Sequence, residues 1–459
     1  MDKTTETLFG LFDCRLVKSV SEIKKERRYQ HHYFEYEGDE PDVCPKCNGK
    51  LYRHGTRTIQ VTDVPNATPV KWSITIPRKR CKECKEIWQP TIKGIDEKRD
   101  LSTNAFFNIA TRSLRDPFET IAEDYMLAGN TIKNVFIEFL QTYKQQLHFV
   151  TPAFMGIDEI NIKKLGQLTV ITDLEHKTLF DILQGRNQKT LIEYFDNLEN
   201  RESVLWVCSD MYRPFQRSIG DSFPNARWAI DHFHVVMKAN EAVDYVRRRL
   251  QDTMSKEDRV KSKRGFAFTV KRRSKNLTVD QAAKIRLLRE TESLRPLAIA
   301  FDLKEDFFNI YDDNPSSKEN AMKAFAEWEK SIPPDDIYVG FRTLAQTVHN
   351  FFEQIFNFWD CPIAITNAFT ECSNRIIREN NLRGRGYSFE ILRGRTLYRK
   401  TNLTRLIESK MVIAGPSIPK DGPVFFMECD DEEAIDDFDT LDAVFDPDFD
   451  PETGEIFEE

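Results

Sequence analysis

The pattern of hydrophobic and polar positions divides the chain into four zones. Residues 1–100 carry short strand-like runs such as TIQVTDV and VKWSITI, and residues 101–150 show the 3.6-residue periodicity of helices. Strand-like and helical runs alternate between residues 151 and 231. Residues 232–420 are mainly helical, and their first part is rich in lysine and arginine. The chain is therefore predicted to be a multidomain α+β protein.

The third zone predicts a definite order of elements. AFMGIDE, GQLTVITDL and HKTLFDILQG predict three strands, QKTLIEYFDNL predicts an amphipathic helix, and VLWVCSD predicts a buried strand. A helix around YRPFQRSI and a last strand, ARWAID, complete the series. This is the order of a ribonuclease H-like α/β domain, in which the first and fourth strands lie side by side. We expect that domain to span residues 151–420, with a helical insertion at about 235–360.

Charge is distributed unevenly along the chain. The formal net charge is −8, from 66 Lys and Arg against 74 Asp and Glu. Residues 427–459 hold sixteen of the acidic residues and no Lys or Arg, so the remaining body carries about +8. A basic body favours a polyanion as partner, and the acidic tail is predicted to be disordered. We find no transmembrane segment or secretory signal, and expect a cytoplasmic protein without a membrane partner.

Two CxxC pairs predict a metal site. Thirty-three residues with strand-like patterning separate Cys47 from Cys81, which leaves room for a hairpin or two. Each pair can present two thiolates to one edge of a metal ion, and two pairs give a tetrahedral sulfur site. We expect a zinc ribbon with a structural Zn²⁺ held by Cys44, Cys47, Cys81 and Cys84. The alternatives are free thiols or redox pairs, and His54 is a weaker substitute ligand.

Residues 117–140 predict two short helices joined by a tight turn. Apolar residues have helical spacing on both sides of the turn, and Asn130 is a good N-cap for the second helix. We interpret residues 101–150 as a helix-turn-helix DNA-binding domain, although Met126 stands where this motif usually has glycine. An ordinary helical hairpin is the alternative. The predicted DNA contacts are Asn130, Thr131, Lys133 and Asn134.

Two aspartates lie at the ends of predicted neighbouring strands. Asp158 ends the first strand and Asp210 ends the fourth, so the two carboxylates should face each other. Apposed carboxylates repel unless a cation lies between them. Mg²⁺ prefers hard oxygen ligands, and two such ions about 4 Å apart can activate an attacking oxygen and stabilise a leaving one. Asp231, at the end of the last strand, is a rival for this role, whereas Glu159 should lie on the opposite face.

The segment ITNAFTECSNRIIREN supplies the third predicted carboxylate, Glu371. If this segment is a helix, Glu371 shares one side with polar and basic residues, which we expect to face the site and the DNA. The residues of that side are Glu371, Asn374, Arg375 and Arg378. The opposite, apolar side is predicted to consist of Phe369, Cys372 and Ile376.

Further basic residues are predicted to contact DNA. Between Val246 and Lys275, twelve of thirty residues are Lys or Arg, interleaved with aromatic residues. Such segments suit the DNA backbone, although a solvated helical face is the alternative. The predicted contacts are Arg247, Arg248, Arg249, Lys271, Arg272 and Arg273. The arginines Arg393, Arg395 and Arg399 continue this basic character towards the C-terminus.

Several blocks of the sequence together resemble one family. GIDE, CSDMY, AIDHFHVVMKANEAVDYVRR and TNAFTECSNRIIR are similar to the blocks of bacterial insertion-sequence transposases of the DDE type. The similarity is greatest to the branch with an N-terminal CxxC…CxxC ribbon followed by a helix-turn-helix. It covers about residues 40–410 in the same order. The family's Asp-x-Phe-His block matches Asp231, Phe233 and His234.

The resemblance implies an activity and partners. The three catalytic, metal-binding acids fall on Asp158, Asp210 and Glu371, with two Mg²⁺ (or Mn²⁺) ions as cofactors. The implied reaction is cleavage at inverted-repeat DNA ends, followed by attack of the released 3′-OH on target DNA. A homodimer in the synaptic complex and a bacterial, nucleoid-associated location are also implied. A catalytically inactive DNA-binding regulator and a structure-specific nuclease of the same fold are the competing interpretations.

Overall fold

The computed structural model describes residues 9–24, 26–96, 98–253 and 266–414. The predicted acidic tail, residues 427–459, lies outside the described residues, as does part of the basic segment around residue 260. Across the described ranges, none of the helices combines the length and the apolar character that crossing a bilayer requires.

The chain divides into two compact units. The first contains Met1–His148 together with a later segment, Leu382–Arg399. The second contains Phe149–Asn381 and Lys400–Ala414. Residues 382–399, which were predicted to lie in the catalytic domain, are part of the first unit.

A seven-stranded sheet forms the base of the first unit. Its strands are β1 (Cys14–Lys24), β2 (Arg27–Tyr36), β3 (Leu51–Asn66), β4 (Thr68–Cys81), β5 (Ile87–Trp88), β6 (Ile95–Asp96) and β7 (Leu101–Ser102). Their order is β1-β2-β4-β3-β7-β6, with β5 paired to β4. β3 and β4 form one long antiparallel hairpin that places Leu51 opposite Cys81. The two CxxC pairs therefore lie at the same end of that hairpin.

Alternation of apolar residues explains why this hairpin is stable. Successive side chains of a strand point to opposite faces, so every second residue can enter the core. On β4, Trp72, Ile74 and Ile76 are fully buried. On β3, Ile59 and Val61 pack into the same core. The predicted strand character of both runs is confirmed.

Three helices follow the sheet in the first unit. They are α1 (Thr103–Arg112), α2 (Phe118–Tyr125) and α3 (Gly129–Gln146). Met126 ends α2 with a φ of 51°, in the left-handed region. Glycine adopts this conformation most easily, so methionine is strained here. The turn therefore has the left-handed backbone conformation for which such motifs usually use glycine, although the residue here is methionine.

The second of these paired helices begins earlier than the sequence predicted. Ala128, not Asn130, is the N-cap residue of α3, because its extended backbone directs its carbonyl to the N–H groups of Thr131 and Ile132. Asn130 is therefore inside the first turn. The predicted apolar stripe of α3 is confirmed, and its buried residues are Ile132, Val135, Phe136 and Phe139.

A fully buried arginine holds the late segment in the first unit. Arg395 lies on α13 (Phe389–Leu397) and is 0% exposed. Its guanidinium donates hydrogen bonds to the carbonyls of Ser113, Arg115 (2.9 Å) and Asp116 (3.0 Å), just after α1 ends. These carbonyls have no helical partner, so the arginine satisfies them. Arg395 is thus structural and does not extend a basic surface.

The second unit is built on a five-stranded sheet. Its strands are β9 (Phe154–Ile162), β10 (Gly166–Asp173), β11 (Thr178–Gln184), β12 (Trp206–Ser209) and β13 (Arg227–Ile230). The order across the sheet is β11-β10-β9-β12-β13. β9, β10 and β11 are antiparallel neighbours, whereas β12 is parallel to both β9 and β13. The predicted order of elements and the adjacency of the first and fourth strands are both confirmed.

The second unit also contains ten helices among the described residues. Two of them, α4 (Gln188–Asp196) and α5 (Arg213–Ser222), connect its strands. The others are α6 (His232–Thr253), α7 (Val279–Glu290), α8 (Arg295–Asp312), α9 (Lys318–Ser331), α10 (Val339–Asn350), α11 (Phe352–Phe356), α12 (Ala368–Arg383) and α14 (Lys400–Glu408). Two short strands, β8 (Leu147–Phe149) and β14 (Val412–Ala414), pair with each other.

Helix α12 packs on the sheet through polar residues, which corrects the predicted orientation of its faces. Its buried residues are Thr370, Ser373, Asn374 and Ile377. The Thr370 hydroxyl lies 2.7 Å from that of Thr172 on β10, and Asn367 donates to the carbonyl of Ile157 on β9. Small hydroxyl and amide side chains allow the helix to approach the strands of the sheet closely here. The predicted apolar side of Phe369, Cys372 and Ile376 is therefore not the face that enters the core.

Candidate active site

Three aspartates lie at one level across the parallel strands. Cys208 on β12 is opposite Gly156 on β9, and Ser209 is opposite Ile230 on β13. If this register continues by one or two residues, Asp210 lies opposite both Asp158 and Asp231. Residues in register on parallel strands share a face of the sheet, and neighbouring strands are about 4.8 Å apart.

Asp158 occupies a buried position in the middle of β9. The sequence predicted that the strand ends there, but β9 continues to Ile162. The carboxylate is 6% exposed, and one oxygen accepts the N–H of Glu159 at 2.8 Å. The other accepts a hydrogen bond from Nδ2 of Asn374 on α12, also at 2.8 Å. Burial raises the pKa of Asp158 to about 6, partly offset by the charge of His234.

Asp210 follows β12 directly and is less enclosed. Its Oδ1 accepts the N–H of Tyr212 at 3.0 Å, which fixes the carboxylate at the start of the loop before α5. Burial raises the pKa of Asp210, and the charge of Glu159 acts in the same direction. The Arg186 guanidinium lies nearby, paired with Glu159 and stacked 4.6 Å from the ring centroid of Tyr212.

Glu371 reaches the same site from the first turn of α12. Burial, reinforced by the charges of Asp231 and Asp158, raises the pKa of Glu371 to about 9. Of the three acids predicted from the sequence, Asp158 is thus influenced by the charge of Asp210, and Glu371 by that of Asp158. A divalent cation would relieve the repulsion among these desolvated carboxylates.

Asp231, which the sequence marked as a rival ligand, and His234, which matches the family's Asp-x-Phe-His block, also belong to the site. Asp231 is 0% exposed, and its Oδ2 has no hydrogen-bond partner among the described residues. Nε2 of His234, in the first turn of α6, likewise has no hydrogen-bond partner among the described residues. Ligand atoms of Asp231, His234 and Glu371 lie within 4.8 Å of one another. Buried polar atoms without partners, grouped in this way, fit a divalent metal ion.

The signal for these two residues was present in the sequence but weak. Asp231 ended a predicted strand, as Asp158 and Asp210 did, and His234 follows it by three residues. A histidine is more often packed or hydrogen-bonded than catalytic. Only the unpaired buried atoms and the approach of Glu371, 137 residues further along the chain, distinguish this pair.

The four cysteines of the CxxC pairs form a second cluster, in the first unit. The sulfur atoms of Cys44 and Cys84 are 3.7 Å apart, and those of Cys47 and Cys81 are 3.5 Å apart. Sulfurs bound tetrahedrally to zinc at about 2.3 Å are about 3.8 Å apart, so the cluster fits this ion. A Cβ on Gly49 would lie 3.0 Å from the sulfur of Cys81. A side chain at this position would therefore press against the sulfur cluster.

A family model for DDE transposases of the ISL3 type matches residues 155–396, more than half of the 459 residues. The chain belongs to this transposase family. The matched region contains all five residues of the acidic site. The resemblance inferred from the sequence is therefore confirmed.

Two curated relatives agree with this assignment. They are transposases for insertion sequence element IS1557 from Mycobacterium tuberculosis, strains CDC 1551 / Oshkosh and ATCC 25618 / H37Rv. Each is 26% identical to the chain over 212 residues. The match covers 41% of this chain and 47% of each relative, so the chain spans about half the length of these relatives.

The basic residues predicted to contact DNA differ in how free their side chains are. Arg247 and Arg248 both donate to Asp244, at 2.7 and 2.6 Å. Arg249 donates to the hydroxyl of Tyr245 at 3.0 Å. Arg248 and Arg249 are nevertheless exposed, whereas the side chain of Arg247 is 11% exposed. Arg248 and Arg249 therefore keep their charge at the surface, as predicted DNA contacts would, whereas Arg247 is largely enclosed.

The second basic run is divided between surface and interior. Lys271 is exposed and Arg272 is half-buried. Arg273 is buried, and its guanidinium donates to Asn309 at 3.0 Å and to Asp312 at 2.6 Å. Contrary to the prediction, Arg273 is a structural residue of the helical insertion, because its donors are directed into the protein.

The remaining predicted contacts face outward or towards the acids. In the first unit, Asn130 and Asn134 are exposed, and Thr131 and Lys133 are half-buried. In the second unit, Arg375 is exposed and Arg378 is half-buried. The charges of Asp158 and Glu371 act on Arg378, and no hydrogen bond or ion pair holds its guanidinium within the described residues. Arg378 is thus a half-buried cation beside the acids.

Proposed function

We propose that the chain is a DNA transposase that cleaves the ends of an insertion sequence and joins them to target DNA. The observation that carries this proposal is the group of buried and half-buried acids formed by Asp158, Asp210, Asp231 and Glu371. Family membership supports the same activity. The names of the relatives, transposases for an insertion sequence element, agree with it.

The arrangement of the second unit supports a ribonuclease H-like catalytic domain. Three antiparallel strands are followed by two strands parallel to the first, and the first strand is at the centre of the sheet. The acids Asp158 and Asp210 come from the two central strands. The long series of helices from α6 to α11 corresponds to the predicted insertion, and it separates these acids from Glu371.

The site residues have distinct roles in this proposal. Divalent ions, Mg²⁺ or Mn²⁺, would be held by Asp158, Asp210 and Glu371, and would supply an activated oxygen nucleophile and stabilisation of the leaving oxygen. Asn374 orients Asp158 by donating to its Oδ2. Arg378 is placed to bind a phosphate oxygen of the DNA strand. Burial of the acids keeps bulk water away from the reacting phosphate.

We assign recognition of the inverted repeats to the first unit. Its four cysteines would hold a structural Zn²⁺, which fixes the end of the β3–β4 hairpin. Helices α2 and α3 are joined by a three-residue turn and would act as a helix-turn-helix, with Asn130 and Asn134 directed at the DNA. Both inverted-repeat ends must be joined to one target, so a homodimer is expected in the complex with DNA.

A strand-transfer assay on a labelled inverted-repeat end tests the proposal. We expect Asp158→Asn, Asp210→Asn and Glu371→Gln each to lower cleavage at least about 100-fold while DNA binding is retained. Glu193→Gln, which changes an exposed acid on α4, is the matched control and keeps full activity.

The same assay distinguishes the competing functions. Products joined to target DNA support the transposase. Binding without cleavage by the wild-type protein supports an inactive regulator. Cleavage without joining supports a nuclease.

A further inference from the structure

The second unit contains two Asp-x-x-His segments of identical spacing. One is Asp173–His176, at the end of β10, and the other is Asp231–His234, at the start of α6. Both aspartates are buried. The two segments differ in whether their polar atoms have partners.

The first segment is closed on itself. Nδ1 of His176 lies 2.8 Å from Oδ2 of Asp173, so imidazole and carboxylate are hydrogen-bonded. The other carboxylate oxygen accepts the N–H groups of Glu175 and His176, at 3.0 and 3.1 Å. Every oxygen of this aspartate has a partner, and the segment is a stable turn.

The second segment is open. Oδ2 of Asp231 and Nε2 of His234 are buried and without a hydrogen-bond partner among the described residues. An unpaired buried polar atom destabilises the folded state, and this site has two. Glu371 enters the same space from α12, so that three ligand atoms lie within 4.8 Å of one another.

This spacing is close to that of a metal centre. Ligands at about 2.1 Å from an octahedral ion are about 3.0 Å apart when adjacent and about 4.2 Å apart when opposite. Small rotations of the side chains would bring the three atoms to one ion. The donor set would then be two carboxylate oxygens and one imidazole nitrogen.

We propose that Asp231, His234 and Glu371 form a mixed oxygen–nitrogen metal site that favours Mn²⁺ over Mg²⁺. Mg²⁺ prefers oxygen ligands only, whereas first-row transition ions accept imidazole, and Mn²⁺ also retains carboxylates and water as ligands. Asp158 and Asp210 offer only oxygen, so the chain would present two ion sites of different chemistry. His234 is the residue that distinguishes them.

The role of this site in the reaction rests on the proposed function, but its metal preference can be measured without DNA. Full-length protein with its cysteine site loaded with zinc is titrated with Mn²⁺ alone. Electron paramagnetic resonance gives the affinity, and electron spin-echo envelope modulation detects a ¹⁴N nucleus bound to the ion. Mg²⁺ affinity follows from displacement of Mn²⁺.

Three variants give the expected pattern. His234→Gln loses the nitrogen signal and binds Mn²⁺ at least about tenfold more weakly, while Mg²⁺ affinity changes less than about threefold. His234→Asp supplies an oxygen instead, so binding is kept and the preference moves towards Mg²⁺. His176→Gln, the matched control in the closed segment, behaves as wild type.

The outcomes separate this inference from the proposed function. A nitrogen signal that is absent from the wild type, or that persists in His234→Gln, overturns the inference. An equal loss of Mn²⁺ and Mg²⁺ affinity in a folded His234→Gln also overturns it. Strand transfer by the wild type without nitrogen coordination refutes only the mixed site, whereas nitrogen coordination without any DNA cleavage refutes only the transposase.

Discussion

Replacing Gly156 with alanine should disable the active site through a single methyl group. A Cβ at this position of β9 would lie 2.5 Å from the hydroxyl of Thr172, 2.6 Å from that of Thr370, and 2.7 Å from a methyl of Leu174. Ordinary contacts begin at about 3.4 Å, so these neighbours must move by about 0.7–0.9 Å. Thr370 directly precedes Glu371, so movement of α12 displaces the Glu371 carboxylate as well.

The magnitude of the effect follows from that displacement. A misplacement of about 1 Å in a catalytic group lowers the rate about 100-fold, and overpacking of this kind lowers the free energy of unfolding by about 1–3 kcal/mol. The two effects are separable. Cleavage of a labelled DNA end is measured well below the melting temperature, and thermal unfolding is followed by circular dichroism on the same preparation.

A matched glycine in the same unit provides the control. Gly220 lies on α5, and a Cβ there would meet nothing within 4 Å. Gly220→Ala should leave cleavage unchanged and raise stability by about 0.5–1 kcal/mol, because alanine favours the helix. If Gly156→Ala keeps cleavage within about threefold of wild type, then contact between β9 and α12 does not position Glu371, and the reasoning is wrong.

Three further predictions concern the first unit. Cys81→Ser should abolish the one equivalent of bound zinc measured by plasma mass spectrometry, whereas Cys361→Ser should retain it. Met126→Gly should raise the free energy of unfolding by about 0.5–1 kcal/mol in urea, because it relieves the left-handed strain, and Met126→Ala should give no such gain. Arg395→Met should lower that free energy by about 3 kcal/mol, because it leaves buried carbonyls without donors, and an equal loss in the exposed control Arg383→Met would contradict this.

The order of elements in the second unit could be predicted because each element carries its own pattern. Continuous apolar runs marked buried strands, and helical periodicity marked α4 and α5 between them. The adjacency of Asp158 and Asp210 followed from that order, since the two acids lie at corresponding points of the first and fourth strands. Local patterns thus sufficed wherever burial was apolar.

Prediction failed where burial is polar. Arg273 and Arg395 read as surface charges, but both are buried, and each donates its hydrogen bonds to carbonyl or carboxylate oxygens that are distant in sequence. On α12, the burial of Thr370 and Ser373 was not predicted for the same reason. Threonine, serine and asparagine are normally expected at the surface, and the sequence pattern does not reveal that Thr370 faces Gly156 on β9.

The polar contacts of α12 also suit what the helix must do. Apolar side chains hold a helix against a sheet but tolerate sliding along its axis. The hydrogen bonds from Asn367, directly before α12, to the backbone of β9 and from Asn374, within the helix, to Asp158 are directional, and the two donors are 7 residues apart in the chain. Together they fix both the axial position and the rotation of the intervening Glu371. A carboxylate that must come together with metal ligands from other elements requires such placement. The polar residues that replace an amphipathic pattern in TNAFTECSNR therefore follow from the chemistry of the site.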